Sequence, residues 1–131
     1  MSRPLAVWPD GMSGADNPWK MSPAIRSGDL LFVTGMTGSL PDGTMPNEPE
    51  QQFTKAFDKI AEVLRAAGLD FGHVVDMTSY HVGIRTHFDC FASVRNRYVV
   101  EPYPAWTAVG VAELRRSGAL VEVKVTARFA D

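Results

Sequence analysis

The stretch that most constrains this chain is its last one, GALVEVKVTARFA. From 119 to 129 the residues alternate between an apolar side and a side that is polar except at Leu120. Ala119, Val121, Val123, Val125, Ala127 and Phe129 fall on one side. Leu120, Glu122, Lys124, Thr126 and Arg128 fall on the other. A period of two is the mark of a half-buried strand. One side therefore needs an apolar cover, and the other carries charge at 122, 124 and 128.

The cover is readable upstream. In residues 50–67, Phe53, Phe57, Ile60, Leu64 and Ala67 recur as one stripe of a 3.6-residue period. Asn47 with Glu50 predicts a capping box at its start. Gly68 stands where a left-handed C′ residue belongs, with Leu69 set to touch Leu64 across a Schellman turn. A second helix is expected from Thr86, with Asp89 as reciprocal cap and Phe88, Phe91, Val94 and Tyr98 as its stripe. Pro102 and Pro104 end it and force extension.

The remaining β-prone runs are 4–8, 24–26 and 30–35, then 74–82 and 105–112. Ser27, Gly28 and Asp29 form the turn of a hairpin. Residues 9–18 and 37–49 have loop composition. The 74–82 run alternates poorly, and its faces are not assignable. The order is β-β-β-α-β-α-β-β, an α+β arrangement in which two helices cover one face of a sheet. The uncovered face is either solvated or buried in an oligomer with its charges paired.

A chain of 131 residues without internal repeats is most simply one domain, 1–131. The single cysteine, Cys90, leaves no partner for an internal disulfide and suits a reducing cytosol. The first residues, MSRPLAVWPDG, lack the apolar segment of a secretion signal, so a cytoplasmic protein is expected. No apolar run reaches 18 residues, so no membrane span is expected. The net charge is −2, with no run of five like charges, which argues against nucleic acid as a partner.

Motifs for phosphate loops, dinucleotide binding, serine nucleophiles and zinc helices are absent. The histidines at 73, 81 and 87 do not have ligand spacing, and no metal is expected. His81 reads as a hydrogen-bonded strand histidine rather than a general base. Cys90 reads as a structural thiol. Glu122 is more informative, because a glutamate inside an apolar strand is rarely buried unpaired. It is either part of a solvated or ion-paired face with Lys124 or a site carboxylate. Trp106 shares its strand face with Ala108 and Gly110. A bulky ring beside two small residues is either core filling or the wall of a hollow.

Four stretches together resemble a known family: SPAIRSGDLLFVTG, AAGLDFGHVVDMTSYHV, PYPAWTAVGVAEL and GALVEVKVTAR. In order and spacing they are similar to the Rid proteins (reactive intermediate deaminases, YjgF-like, also called endoribonuclease L-PSP), and most to the YjgH-like branch. The resemblance implies a chorismate-mutase-like fold: a mixed six-stranded sheet, two helices on one face, and a homotrimer with clefts between subunits. It also implies hydrolysis of enamines and imines such as 2-aminoacrylate to 2-keto acids and ammonia, with no cofactor, though a chain without the family's carboxylate-gripping arginine is not expected to be an efficient 2-aminoacrylate deaminase.

Carried over by position, the resemblance retains Thr34, Gly35 and the last-strand glutamate, Glu122. The family's carboxylate-gripping arginine is Trp106 here. A cysteine two residues later is Ala108, and a tyrosine before the hairpin is Met21. Hydrogen bonds to a charged group contribute roughly 1.5–3 kcal/mol, so losing the arginine weakens carboxylate binding about 10- to 150-fold. An indole has one N–H and no charge, but offers a stacking face. Trp106 is therefore expected to line an intersubunit cleft, with Arg115 or Arg116 as a substitute charge. Three functions compete: imine hydrolysis with Glu122 as the catalytic group, a trimer binding small planar ligands without chemistry, and, least supported by the charge balance, a ribonuclease.

Overall fold

The computed structural model describes residues 3–12 and 17–130. Strands β1 (Leu5–Val7), β2 (Ala24–Ser27) and β3 (Leu30–Val33) precede helix α1 (Pro49–Ala66). A short 3₁₀ turn leads into β4 (Val74–His81), then helix α2 (Ile84–Arg95), β5 (Ala105–Gly110) and β6 (Val121–Arg128). The six strands form one mixed sheet in the order β1-β2-β3-β6-β4-β5. Only β4 and β5 pair in parallel, as expected of two strands joined by a helix. The loop expected over 9–18 lies partly outside the described residues, at 13–16.

The C-terminal alternation decides the layering. Val121, Val123, Val125 and Ala127 are fully buried beneath the helices. Register carries that face across the sheet to Leu31 and Val33 of β3, Met77, Ser79 and His81 of β4, and Trp106, Ala108 and Gly110 of β5. From α1, Phe53, Phe57, Ile60 and Leu64 meet it, and from α2, Phe91 and Val94. Tyr98 stacks on Phe57 with centroids 5.0 Å apart, and its hydroxyl donates to Asp58 Oδ1 at 2.6 Å. Burial and that carboxylate push its pKa up to about 12. Among the described residues, no helix is long and apolar enough to cross a membrane.

Helix ends are only partly as expected. Gly68, at φ +77°, closes α1 in a Schellman turn: Leu69 N–H donates to Leu64 O at 2.8 Å and Gly68 N–H to Arg65 O at 2.9 Å. The capping box at Asn47 does not form. Glu48 is the N-cap without a side-chain bond, Pro49 opens the helix, and Glu50 pairs with Arg97 at 2.7 Å. Helix α2 starts at Ile84, two residues before Thr86, with left-handed Gly83 as its N-cap and no cap from Asp89. The unassignable alternation of β4 has a cause. A bulge at Val75 shifts the register, so Val74 and Met77 both point inward.

His81 is fully buried in the helix face, edge-on to Phe91 at 4.6 Å. Its Nε2 lies 2.7 Å from Ser79 Oγ, which also accepts the Trp106 indole N–H at 2.9 Å. Nδ1 has no partner. Burial lowers the imidazole pKa below 6.5, so the unfolded chain takes up the proton more readily. Stability from this group is full above the unfolded value near 6.5 and is lost as pH falls through that value toward the lower folded one. Urea unfolding at pH 7.5 and 5.5 should show a loss at the lower pH that is smaller in His81→Leu.

Candidate functional site

A cavity of about 580 Å³ opens where the chain leaves β3 and crosses to the flank of α1. Its floor is the Thr34–Gly35 step. Thr34 is held twice: its N–H donates to Pro23 O at 2.9 Å and its hydroxyl to Ser22 O at 2.6 Å. The hydroxyl proton is thus committed, which leaves Oγ1 in the cavity wall as an acceptor. Gly35 is where the backbone passes the Glu122 carboxylate. A Cβ there would lie 2.5 Å from Oε2 and 2.9 Å from Cδ. Gly35→Ala therefore displaces the carboxylate. Because the obstruction is the end of a flexible side chain, ligand affinity should fall several-fold in calorimetry while the melting temperature changes little.

Glu122 is half-buried and makes no ion pair among the described residues. The pairing with Lys124 is not formed. The Lys124 ammonium instead donates to Val33 O at 3.3 Å, and Arg128 pairs with Asp29 at 3.3 Å. Glu122 is thus an acid of the open face without an ion pair among the described residues.

The outer wall comes from the segment before β2. Asn17 braces it in both directions, accepting from Met21 N–H at 3.1 Å and donating to Met21 O at 2.7 Å. This turn, with Lys20 at φ 55°, presents Trp19 and Met21 to the cavity. Arg115 lies 4.8 Å from the Trp19 ring centroid. Arg115 and Arg116 both line the cavity from the β5–β6 loop. Gln52 anchors that loop on α1, donating to Gly118 O at 3.1 Å and accepting from Leu120 N–H at 3.1 Å.

The structure thus brings together Met21, Thr34, Gly35 and Glu122, and adds Arg115 and Arg116. It does not bring Trp106 or Ala108 to them. Those two lie on the helix face, on a strand separated from β6 by β4. Trp106 stacks on Phe88 at 5.5 Å and 7°, and the Arg95 guanidinium sits 3.9 Å from its ring centroid. Helix α2 thus covers the indole itself, while Gly110 at the end of the strand stays exposed beside Ile84. Arg95 is 7 % exposed, its Nε has no partner, and burial lowers its pKa.

Sequence reasoning missed Lys59, which lines the same cavity from α1. One signal was present. Lys55 and Lys59 are like charges at i and i+4, an arrangement that weakens a helix. Among the described residues no three His, Cys, Asp or Glu side chains cluster as metal ligands.

The endoribonuclease L-PSP family matches residues 15–129. The RutC family protein YjgH of Escherichia coli is 42% identical over 127 residues, covering 96% of this chain and 95% of that one. A solved structure of protein YjgH superposes with a TM-score of 0.87, at 42% identity and 98% coverage of both chains. The 2-iminobutanoate/2-iminopropanoate deaminase of Capra hircus is 30% identical, covering 81% of this chain and 77% of its own. With the six-stranded mixed sheet and its two helices, these matches show that the chain belongs to the endoribonuclease L-PSP family, the Rid or YjgF-like proteins.

Proposed function

We propose that the Glu122 cavity is one half of a site that hydrolyses small imines or enamines, and that a second copy of the chain completes it. The observation carrying this reading is the carboxylate itself. It lies in a cavity against bare backbone at Gly35 and makes no ion pair among the described residues. A relative at 30% identity is named for deaminating 2-imino acids.

In the reaction, Glu122 takes a proton from a water as its oxygen attacks the imine carbon. Glu122 returns that proton to the nitrogen, which completes the tetrahedral carbinolamine. The same carboxylate then takes the carbinolamine hydroxyl proton and passes it to the nitrogen as the carbon–nitrogen bond breaks, and ammonia and a carbonyl compound leave. Thr34 Oγ1, its own proton held by Ser22, accepts a hydrogen bond from the imine N–H or the water. No oxidant, reductant or cofactor enters this balance.

Trp106 and Glu122 occupy opposite faces, so one chain cannot aim both at one substrate. Both reach one cleft only if the α2–β5 edge of one copy meets the β3–β6 rim of another. A homotrimer meets that requirement with three equivalent clefts. The open sheet face supports association, since it exposes Phe32 (41 %) and Val109 (38 %). Trp106 then contributes a ring edge rather than a donor, because its N–H is spent on Ser79.

A second reading, ligand binding without chemistry, is favoured by the Trp19 and Trp8 walls and by the replaced arginine. Imines generated from amino acids by an amino-acid oxidase separate the two. Ammonia release faster than without protein supports hydrolysis. Ligand-induced thermal stabilisation with no acceleration of any imine leaves only binding.

A further inference from the structure

We propose that Lys59 and Arg116 form an anion subsite in the Glu122 cavity, which takes the carboxylate of 2-imino or 2-oxo acids carrying a large apolar side chain. This rests on the cavity being the substrate site. It extends the expectation that Arg115 or Arg116 substitutes for the missing strand arginine by pairing Arg116 with Lys59.

Two independent elements bring the cations together. Lys59 comes from α1, and its ammonium is pinned at 3.1 Å to Ser39 O and at 3.0 Å to Ser39 Oγ. Arg116 comes from the β5–β6 loop, with Nη1 packed so closely on Gly43 that a Cβ there would lie 3.0 Å away. Neither makes an ion pair among the described residues. Their environment is strained in one direction. Burial, then Lys55 and Arg116, lower the Lys59 pKa to about 8, opposed by Glu62 alone. A bound anion relieves that repulsion and restores the charge that burial penalises.

The far wall settles orientation and size. A carboxylate is repelled by Glu122 and drawn to the cations, which leaves the adjacent imine carbon toward the base. The volume of about 580 Å³ falls within the roughly 300–1,000 Å³ that drug-sized ligands occupy. A three-carbon acid would leave most of it empty. Trp8, Trp19 and Met36 line the remainder, surfaces suited to an aryl or branched alkyl group.

Calorimetry with phenylpyruvate, pyruvate and phenylacetone tests this without requiring turnover. Phenylpyruvate should bind at least tenfold tighter than pyruvate, which lacks the ring, and than phenylacetone, which lacks the carboxylate. Lys59→Met and Arg116→Met should each weaken phenylpyruvate about tenfold or more and leave phenylacetone unchanged, with Lys59→Arg and Arg116→Lys recovering part of the loss. At pH 8 binding should take up a proton, seen as heats that differ between Tris and phosphate buffers, and Lys59→Met should abolish that uptake. Equal affinity for phenylpyruvate and phenylacetone, or Met variants that bind phenylpyruvate like the parent, overturns the subsite. If imines are hydrolysed yet the Met variants behave as the parent, the subsite fails and the hydrolase stands. If phenylpyruvate binds through Lys59 and Arg116 yet no imine is turned over, the hydrolase fails and the subsite stands.

Discussion

Glu122→Gln should lower imine hydrolysis by about 10²- to 10⁴-fold near neutral pH, the range expected when a positioned general base is removed. The substitution keeps the size and most of the hydrogen-bonding reach of the side chain while abolishing its capacity to take a proton. Folding should barely notice. Glu122 makes no ion pair or side-chain hydrogen bond among the described residues, so little native interaction is lost. Ammonia release from oxidase-generated imines, read beside thermal melts of both proteins, separates the two effects. Parental turnover in a well-folded Glu122→Gln protein would remove this carboxylate from the chemistry.

Phe91→Ala should cost about 3–5 kcal/mol of stability, lowering the melting temperature by roughly 10–20 °C. Phe91 is fully buried and touches four rings at once. Phe53 meets it edge-on at 5.4 Å, Phe57 lies at 5.5 Å, His81 at 4.6 Å and Trp106 at 6.1 Å. Those rings come from α1, β4 and β5, so the void would open where three elements converge. Phe91→Leu, closer in volume, should cost about 1.5 kcal/mol or less. Urea denaturation gives both values. A loss below about 1 kcal/mol for the alanine variant would mean that the core collapses around the gap.

Much of the architecture was legible because it rests on patterns that neighbouring residues enforce. The β6 alternation, the α1 stripe and the Gly68 stop are local, and tertiary packing agrees with each. What was misread depends on distant partners. The phase of β4 breaks at Val75 because two residues face one on β6, which the β4 residues alone do not announce. The start of α2 is set by a left-handed glycine and not by the Thr86 and Asp89 side chains.

The candidate site divides in the same way. Met21, Thr34, Gly35 and Glu122 were named through resemblance, and the geometry gathers them. Trp106 was placed on the correct strand face, beside Ala108 and Gly110. Strand spacing, however, carries no information about what is laid over the ring, and α2 covers it with Phe88 and Arg95. Lys59 looked like any lysine on a helix surface. Only the fold shows Ser39 holding its ammonium inside the cavity.

The division of Trp106 and Glu122 between the two sides of one sheet has a genetic corollary under the proposed function. Each polypeptide would bring complementary fragments to separate clefts. Chains damaged in one fragment and chains damaged in the other could then assemble some undamaged clefts between them, so two inactive alleles expressed together would restore part of what neither retains alone.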